Sequence, residues 1–399
     1  VNFLANLLPD IEKRFQPKPA EKFDKRVCIV GDGLYGLAIA SVLAQRCTAL
    51  SIVKLPAFEV YDEPLFAYND SQSMAEHRDS MSRLKSIVVA PSSELAEAEY
   101  VIFTGGVGAY EKYVSIVKDY LRDGQNLIFL NSPIGAGLQF VHTLQKEKLE
   151  RKFNVVELGN IFYGVRTDGD TLVIRSLRTR ANIAGNTRNQ LRKNMQFDAL
   201  LPTELIPSSN LIERGLLETE RLLRPTLILF GLLGLRTSDH NLGLSASILN
   251  PTTLALLEKL ESELGALAKA YKATPPVFGN IAETTTYSPS LSKNSSARGH
   301  GPSLSDGVTA CYLDLTRSIS KATNPSERAK QILVRDLTEH VVILSELARL
   351  ARINRQTLDS LIDLASGITD IDIRRNARNL SHLGLTGFDL PEIVELVNA

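Results

Sequence analysis

The chain has 399 residues, 44% of them hydrophobic, and lysine plus arginine equals aspartate plus glutamate at 45 each. That length supports two or three domains at roughly 150 residues each, and the apolar share excludes wholesale disorder. The balanced charge gives no attraction to nucleic acid or to an anionic membrane, and three scattered cysteines, Cys28, Cys47 and Cys311, argue against a disulfide framework or a cysteine zinc site and for a reducing cytoplasm.

Residues 1–25 read as a leader. A short amphipathic helix, "VNFLANLLPDIEKRF", has no basic region ahead of an apolar run, so a signal peptide is not expected. The linker "QPKPAEKFDK" follows. Over 26–186 the strand-like runs "RVCIV", "LSIVKL", "SIVVA", "YVIFT" and "NLIFLN" appear, with helical segments such as "AYEKYVSIVKDYLRDG" and "AGLQFVHTLQKEKLE" among them. This alternation predicts an α/β domain with a doubly wound, mainly parallel sheet of Rossmann type. "FNVVEL" and the hairpin-like "RTDGDTLVIRSLRTRANIAG" are expected to extend it. From about Asn186 onward, over 187–399, apolar residues recur at spacings of three and four, which predicts a mainly helical second domain. Its helices are expected in "LIERGLLETERLLRPTLILFGLL", "TLALLEKLESELGALAKAYK", "PSERAKQILVRDLTEHVVILSELARLAR" and "RQTLDSLIDLAS". The apolar stretch Leu222 to Leu235 is interrupted by Arg224 and Pro225 and falls short of the roughly 18 residues of a spanning helix. The serine- and glycine-rich segment near 284–307 reads as a mobile loop, either an active-site lid or a solvated connection. The apolar helices suit a homodimer interface or a monomer core equally.

Gly31, Gly33 and Gly36 in "RVCIVGDGLYGLAIASVLAQRC" fit G-x-G-x-x-G between a first strand and a helix. The first glycine permits the tight turn, the second lets backbone approach a pyrophosphate, and the third lets helix and strand pack closely. The helix start, with Leu34 and Tyr35, offers N–H groups and a positive dipole end to phosphates. Thr104 and Gly105, after the strand "YVIFT", complete the expected cofactor-binding set. Asp32 is at odds with it, because it adds negative charge inside the turn. The second strand ends at Lys54 with no acid until Glu59. A lysine there would meet a 2′-phosphate, so NADP is expected in preference to NAD.

The order and spacing of several motifs in the remainder resemble the opine dehydrogenase family. They are "LNSPIGAG" after the fifth strand, "VVELGNIFYGVR" after the next, and "QILVRDLTEHVVILSELARLARINRQTLDSLIDLAS" near the C-terminus. The branch that makes metal-chelating opines also carries a Ser-Pro plus glycine turn after that strand. The resemblance implies a nicotinamide-binding domain, a helical domain and an active site between them. It implies reductive condensation of an amino-acid amine with a 2-oxo acid. The family's catalytic histidine, before a proline, is matched here by Arg224 before Pro225. Its two asparagines are matched by Glu218 and Glu220, its aspartate by Asp336, and the acid ahead of that aspartate by Arg335. A histidine with a pKa of about 6.5 shuttles protons, whereas arginine keeps its proton. Arg224 is therefore expected to hold a substrate carboxylate, or else to pair with Glu220 or with Asp336 across the cleft. Proton work would then fall to Asp336, to water, or to His340, which stands four residues on and would share a helix face with Asp336. His240 and His300 are further candidates in polar segments; His77, His142 and His382 have no supporting pattern. No metal-ligand spacing is present.

Two functional classes remain open at this level. One is an NAD(P)H-dependent oxidoreductase acting on a small-molecule amine and 2-oxo acid, with no nucleic-acid or membrane partner. The other is a cofactor-binding homologue without turnover, acting as a sensor or assembly partner. A glycerol-3-phosphate dehydrogenase-like enzyme has the same layout but needs lysines near the hydride site, and no convincing pair is found.

Overall fold

The computed structural model describes residues 23–31, 33–44, 46–53, 66–69, 88–90, 92–162, 164–168, 171–174, 177–178, 180–186, 200–201, 203–235, 250–281, 303–320, 322 and 324–399. Its strands are β1 (Phe23–Val30), β2 (Cys47–Val53), β3 (Phe66–Asn69), β4 (Val88–Ala90), β5 (Tyr100–Phe103), β6 (Asn126–Leu130), β7 (Asn154–Leu158), β8 (Val165–Asp168), β9 (Thr171–Ile174), β10 (Arg180–Gly185) and β11 (Glu204–Pro207). Eight of them form one sheet in the order β11-β10-β7-β6-β5-β1-β2-β4. Pairing is parallel from β7 through to β4, β10 runs antiparallel to β7, and β11 is parallel to β10.

The central strands are apolar where both faces are covered: Val27–Val30 of β1, all of β5 and Leu127–Leu130 of β6 are buried. Val27 and Ile29 of β1 join one core, and Cys28 and Val30 join the other. Ile128 and Leu130 of β6 divide from Leu127 and Phe129 in the same way. The period of two in side-chain direction makes the division. Helices α1 (Leu34–Leu43), α2 (Tyr110–Val117) and α3 (Ala136–Lys146) provide the cover.

The second half is helical: α4 (Leu211–Leu216), α5 (Thr219–Leu235), α6 (Pro251–Ala270), α7 (Leu304–Ser320), α8 (Pro325–Asp336), α9 (Val342–Leu350), α10 (Gln356–Thr369), α11 (Ile373–Asn376) and α12 (Leu390–Asn398). Asn210, Asn250, Asn324 and Asp389 accept the N3 backbone N–H at the starts of α4, α6, α8 and α12. Proline takes the first or second helical position in the last three, where its missing N–H costs nothing. No helix among the described residues is long and apolar enough to cross a membrane.

The structure departs from the sequence reading in four places. The hairpin β8–β9 does not extend the main sheet; it forms a separate sheet with β3, in the order β3-β9-β8. Only β10 from that segment joins the main sheet, because a hairpin's register fixes its own pairing and not the sheet it enters. The main sheet also continues past residue 186 through β11, a strand too short to show a period. The helix expected over 211–233 breaks between α4 and α5 at Leu217 and Glu218. The helix expected over 325–352 is continuous but carries one π turn, Leu337–Val341. Of the serine-rich segment, residues 284–302 lie outside the described residues, and 304–307 are the first turn of α7.

One buried ion pair ties the halves together. Arg214 of α4 and Glu157 of β7 are both fully buried, with Nη2 2.8 Å from Oε2. The Glu157 carboxylate also accepts the N–H groups of Gly135 and Gly137 at the N-terminus of α3, at 3.1 and 2.9 Å. Arg214 donates through Nη1 to the carbonyl of Ser132 at 2.9 Å. Removing one partner leaves an uncompensated buried charge, which costs about 3–5 kcal/mol. Arg214→Met should lower stability by about that much in urea denaturation, and Arg214→Met with Glu157→Leu should cost less than Arg214→Met alone.

Candidate active site

The glycine turn sits where the strand order reverses, between β1 and β5. In open α/β sheets that is the crevice at which ligands bind. Gly31 has a φ of +110°, a conformation side chains disfavour. A Cβ on Gly36 would run into the carbonyl oxygen of Gly31, so strand and helix approach as closely as backbones allow. A Cβ on Gly33 would meet nothing within 4 Å, so the space over the start of α1 is open. The first N–H groups of a helix have no intrahelical partner, and those of Leu34 and Tyr35 face this space's end of α1. The Tyr35 ring lies 6.0 Å from that of Phe162. The Thr104 hydroxyl donates to the carbonyls of Val30 and Gly31 at 3.3 and 3.4 Å, holding the end of β5 against the turn. Gly105 packs on the Tyr113 hydroxyl with no room for a Cβ. These residues fit a dinucleotide pyrophosphate. Asp32, Lys54, His77, His240 and His300 lie outside the described residues.

A chain of charged groups from the helical half covers the C-terminal ends of β6 and β7. Arg221 of α5 donates through Nη2 to the carbonyl of Asn131, 3.0 Å away, just past β6. Asn131 itself has a φ of +53°, which among non-glycine residues asparagine tolerates best. Glu218 closes on the end of β7, where a Cβ on Gly159 would come within 2.6 Å of its Oε1. Arg224 grips Asp336 with both prongs, Nε to Oδ2 at 2.7 Å and Nη2 to Oδ1 at 3.1 Å. Glu220 joins from the other side, 3.9 Å from Arg224 and 2.5 Å from Arg178. Beside this chain, Gly159, Asn160, Arg178, Asn182, Glu218 and Glu220 help to line a cavity of about 310 Å³ between β7, β10 and the start of α5.

The expected pairing of Arg224 with Asp336 is present, but its expected place needs correction. The two do not face each other across the domain cleft. Both belong to the helical half, on α5 and at the end of α8, and Asp336 is fully buried between those packed helices. Burial works against the charge on Arg224. The fields of Asp336 and Glu220 outweigh it, so the guanidinium holds its proton even more tightly than in water.

His340 also needs correction, because it does not pair with Asp336. The π turn rotates it away from the i, i+4 position of a regular helix. The ring is fully buried, Nδ1 accepts the Ile134 N–H at 3.4 Å, and Nε2 lies 3.0 Å from the Gly215 carbonyl, to which it donates. Burial, then the positive fields of Arg221 and Arg214, push its pKa well below the ordinary 6.5. It is a neutral strut between the halves. The unfolded chain therefore takes up this proton first as pH falls. The stability that neutral His340 contributes is complete above its ordinary value of 6.5 and declines at lower pH. Between pH 7 and pH 5 the wild type should lose more melting temperature than His340→Gln does.

Sequence reading passed over two residues here. Arg221 is 94% buried by its 6% relative exposure, and its Nη1 makes no hydrogen bond among the described residues. Glu339, on the π turn, has a carboxylate 3.6 Å from that nitrogen and a side chain 20% exposed. Its other oxygen faces the loop after β5, 3.7 Å from where a Cβ on Gly106 would stand. Glu339 lies within the C-terminal stretch quoted above, but the resemblance gives neither residue a role; the π turn, invisible in hydrophobic periodicity, aims Glu339 there.

No protein-family model matches the chain, and no curated protein matches it in sequence. Solved structures do match in fold. Octopine dehydrogenase with NADH and L-arginine aligns with a TM-score of 0.66 at 15% identity, over 93% of this chain and 98% of that one. Yersinopine dehydrogenase with NADP+ bound aligns with a TM-score of 0.56 at 12% identity, over 94% and 98%. A glycerol-3-phosphate dehydrogenase from Coxiella burnetii aligns with a TM-score of 0.50 at 13% identity, over 88% and 97%. The chain therefore has the two-domain fold of the opine dehydrogenases.

Proposed function

We propose that this protein is an NAD(P)H-dependent oxidoreductase that reductively condenses an amine with a 2-oxo acid. The observation that carries the reading is the turn from Gly31 to Gly36, closed by backbone at Gly31 and Gly36 and open at Gly33, in the crevice between β1 and β5. Octopine dehydrogenase has been solved with NADH and agmatine and with NADH and L-arginine, and yersinopine dehydrogenase with NADP+. Their fold extends over nearly the whole chain. The polar cavity beside Glu218 and Glu220 has the size and mixed charge of a small amino-acid site. In this reading Gly31, Gly33, Gly36, Thr104, Gly105 and the backbone of Leu34 and Tyr35 hold the cofactor, and Lys54 selects the 2′-phosphate. When bound, the cofactor supplies the hydride. Arg224 and Asp336 shape the polar wall opposite.

A second reading is favoured by one observation. Asp336 has both oxygens engaged by Arg224 and is fully buried. A closed pair of that kind suits a cofactor-binding protein without turnover. The two readings separate when NADPH and NADH fluorescence is followed with the purified protein, first alone and then with panels of amino acids and 2-oxo acids. Condensation predicts binding followed by oxidation with a particular amine and oxo-acid pair. Binding with no oxidation over the panel supports the second reading.

Gly33→Val should abolish cofactor binding in calorimetric titration with the melting temperature nearly unchanged, because its side chain enters the open space and clashes with no protein atom. Gly36→Val should lower the melting temperature instead. Lys54 gives a separate outcome: NADPH should bind about ten-fold or more tightly than NADH, and Lys54→Ala should shrink the ratio. Equal affinities in the wild type would remove the role given to Lys54.

A further inference from the structure

We infer that Glu339 is the proton-transfer group of this site, an inference that rests on the condensation reading above. Two protons must pass from an ammonium nitrogen to a carbonyl oxygen as the C–N bond forms, the C–O bond breaks and water leaves. The electron pair that then reduces the C=N bond comes from the cofactor's hydride, and the cofactor is oxidised. Among the described residues near the ends of β5, β6 and β7, most ionisable groups are already committed. Arg224 keeps its proton. Asp336 is fully buried with both oxygens on Arg224. His340 is fully buried with both ring nitrogens on backbone. Glu220 is locked to Arg178 at 2.5 Å. Glu218 lies between Arg214 and Arg221, at 3.6 and 3.8 Å, and faces β7.

Glu339 differs in three respects. Its side chain is 20% exposed, so protons can exchange with solvent. Among the described residues its carboxylate has one ion-pair partner, Arg221 Nη1 at 3.6 Å, itself without a hydrogen bond, whereas Glu218 lies between two arginines. Glu339 faces Gly106, which directly follows Thr104 and Gly105 beside the glycine turn. A π turn in a long helix is an irregularity found frequently at functional sites, and here it delivers this side chain. The charged and titratable groups around it are Arg221 from α5, Asp336 and Arg335 from α8, Tyr110 from α2, and Arg378, which donates to the Glu339 carbonyl at 2.7 Å. In this arrangement the carboxylate receives a proton from the attacking nitrogen and passes it to the departing oxygen.

The test uses Glu339→Gln and Glu339→Asp in the full chain, with melting curves to confirm folding. The first readout needs no turnover: the affinity for NADP+ relative to NADPH. A carboxylate facing the nicotinamide favours the cationic, oxidised ring, so Glu339→Gln should lower the NADP+ to NADPH preference by about three- to ten-fold, and Glu339→Asp by less. The second is NADPH oxidation with the wild type's best amine and 2-oxo acid pair. It should fall at least about 100-fold in Glu339→Gln and recover in part in Glu339→Asp. An unchanged cofactor preference, or oxidation at the wild-type rate in Glu339→Gln, overturns the assignment and leaves the condensation reading in place. A wild type that binds neither cofactor form, or binds but oxidises none over the panel, overturns the condensation reading and the role of Glu339 with it.

Discussion

The pairing of Glu157 with Arg214 is the constraint on which the rest of the site depends. Two charges with no exposure to water are costly to desolvate, and they persist only where geometry and further hydrogen bonds compensate. Here the compensation comes from three directions: the N-terminus of α3, the Ser132 carbonyl just past β6, and the guanidinium on α4. Because these groups belong to both halves of the chain, satisfying the charges fixes how the helical half sits on the sheet. Ile134, in the same loop, is buried in the helical core and adds an apolar peg to the ionic one. His340 and Arg378, reaching the same loop from the far side, complete the clamp.

From that anchor, alternating charges run outward over the strand ends: Arg214 to Glu218, Glu218 to Arg221, Arg221 to Asp336 and Glu339, Asp336 to Arg224, and Arg224 to Glu220 and Arg178. The inner members share their charge with two or more neighbours, so moving one disturbs the next. Burial pushes the Arg378 guanidinium down to about 10, a sign of how little water reaches the junction. In the glycine turn, the described residues Gly31, Gly33 and Gly36 present backbone alone.

The α/β class, the glycine turn and the helical second half were legible in the sequence because each has a local signature: strand runs, three glycines at fixed spacing, and apolar residues at three and four. The Arg224–Asp336 pair was legible through resemblance and charge. Its location was not, since a motif match does not say which helices pack together. The hairpin β8–β9 was recognisable as a hairpin, but its sheet was decided by β3, far away in the chain. His340 misled for a physical reason. The i, i+4 rule assumes a regular helix, and the single π turn changes the phase of every side chain after it. The same turn hid Glu339 among the chain's 45 acidic residues.

The most direct test of the account is the fate of the hydride. NADPH carrying deuterium at both hydrogen positions of C4 of the nicotinamide would be incubated with the protein, an amino acid and a 2-oxo acid, and the products read by mass spectrometry. The account predicts a secondary amine one mass unit heavier than its unlabelled counterpart, with deuterium on the carbon that was the carbonyl. Tight NADPH binding with no deuterium in any product, over amines and oxo acids of all charge types, would contradict it.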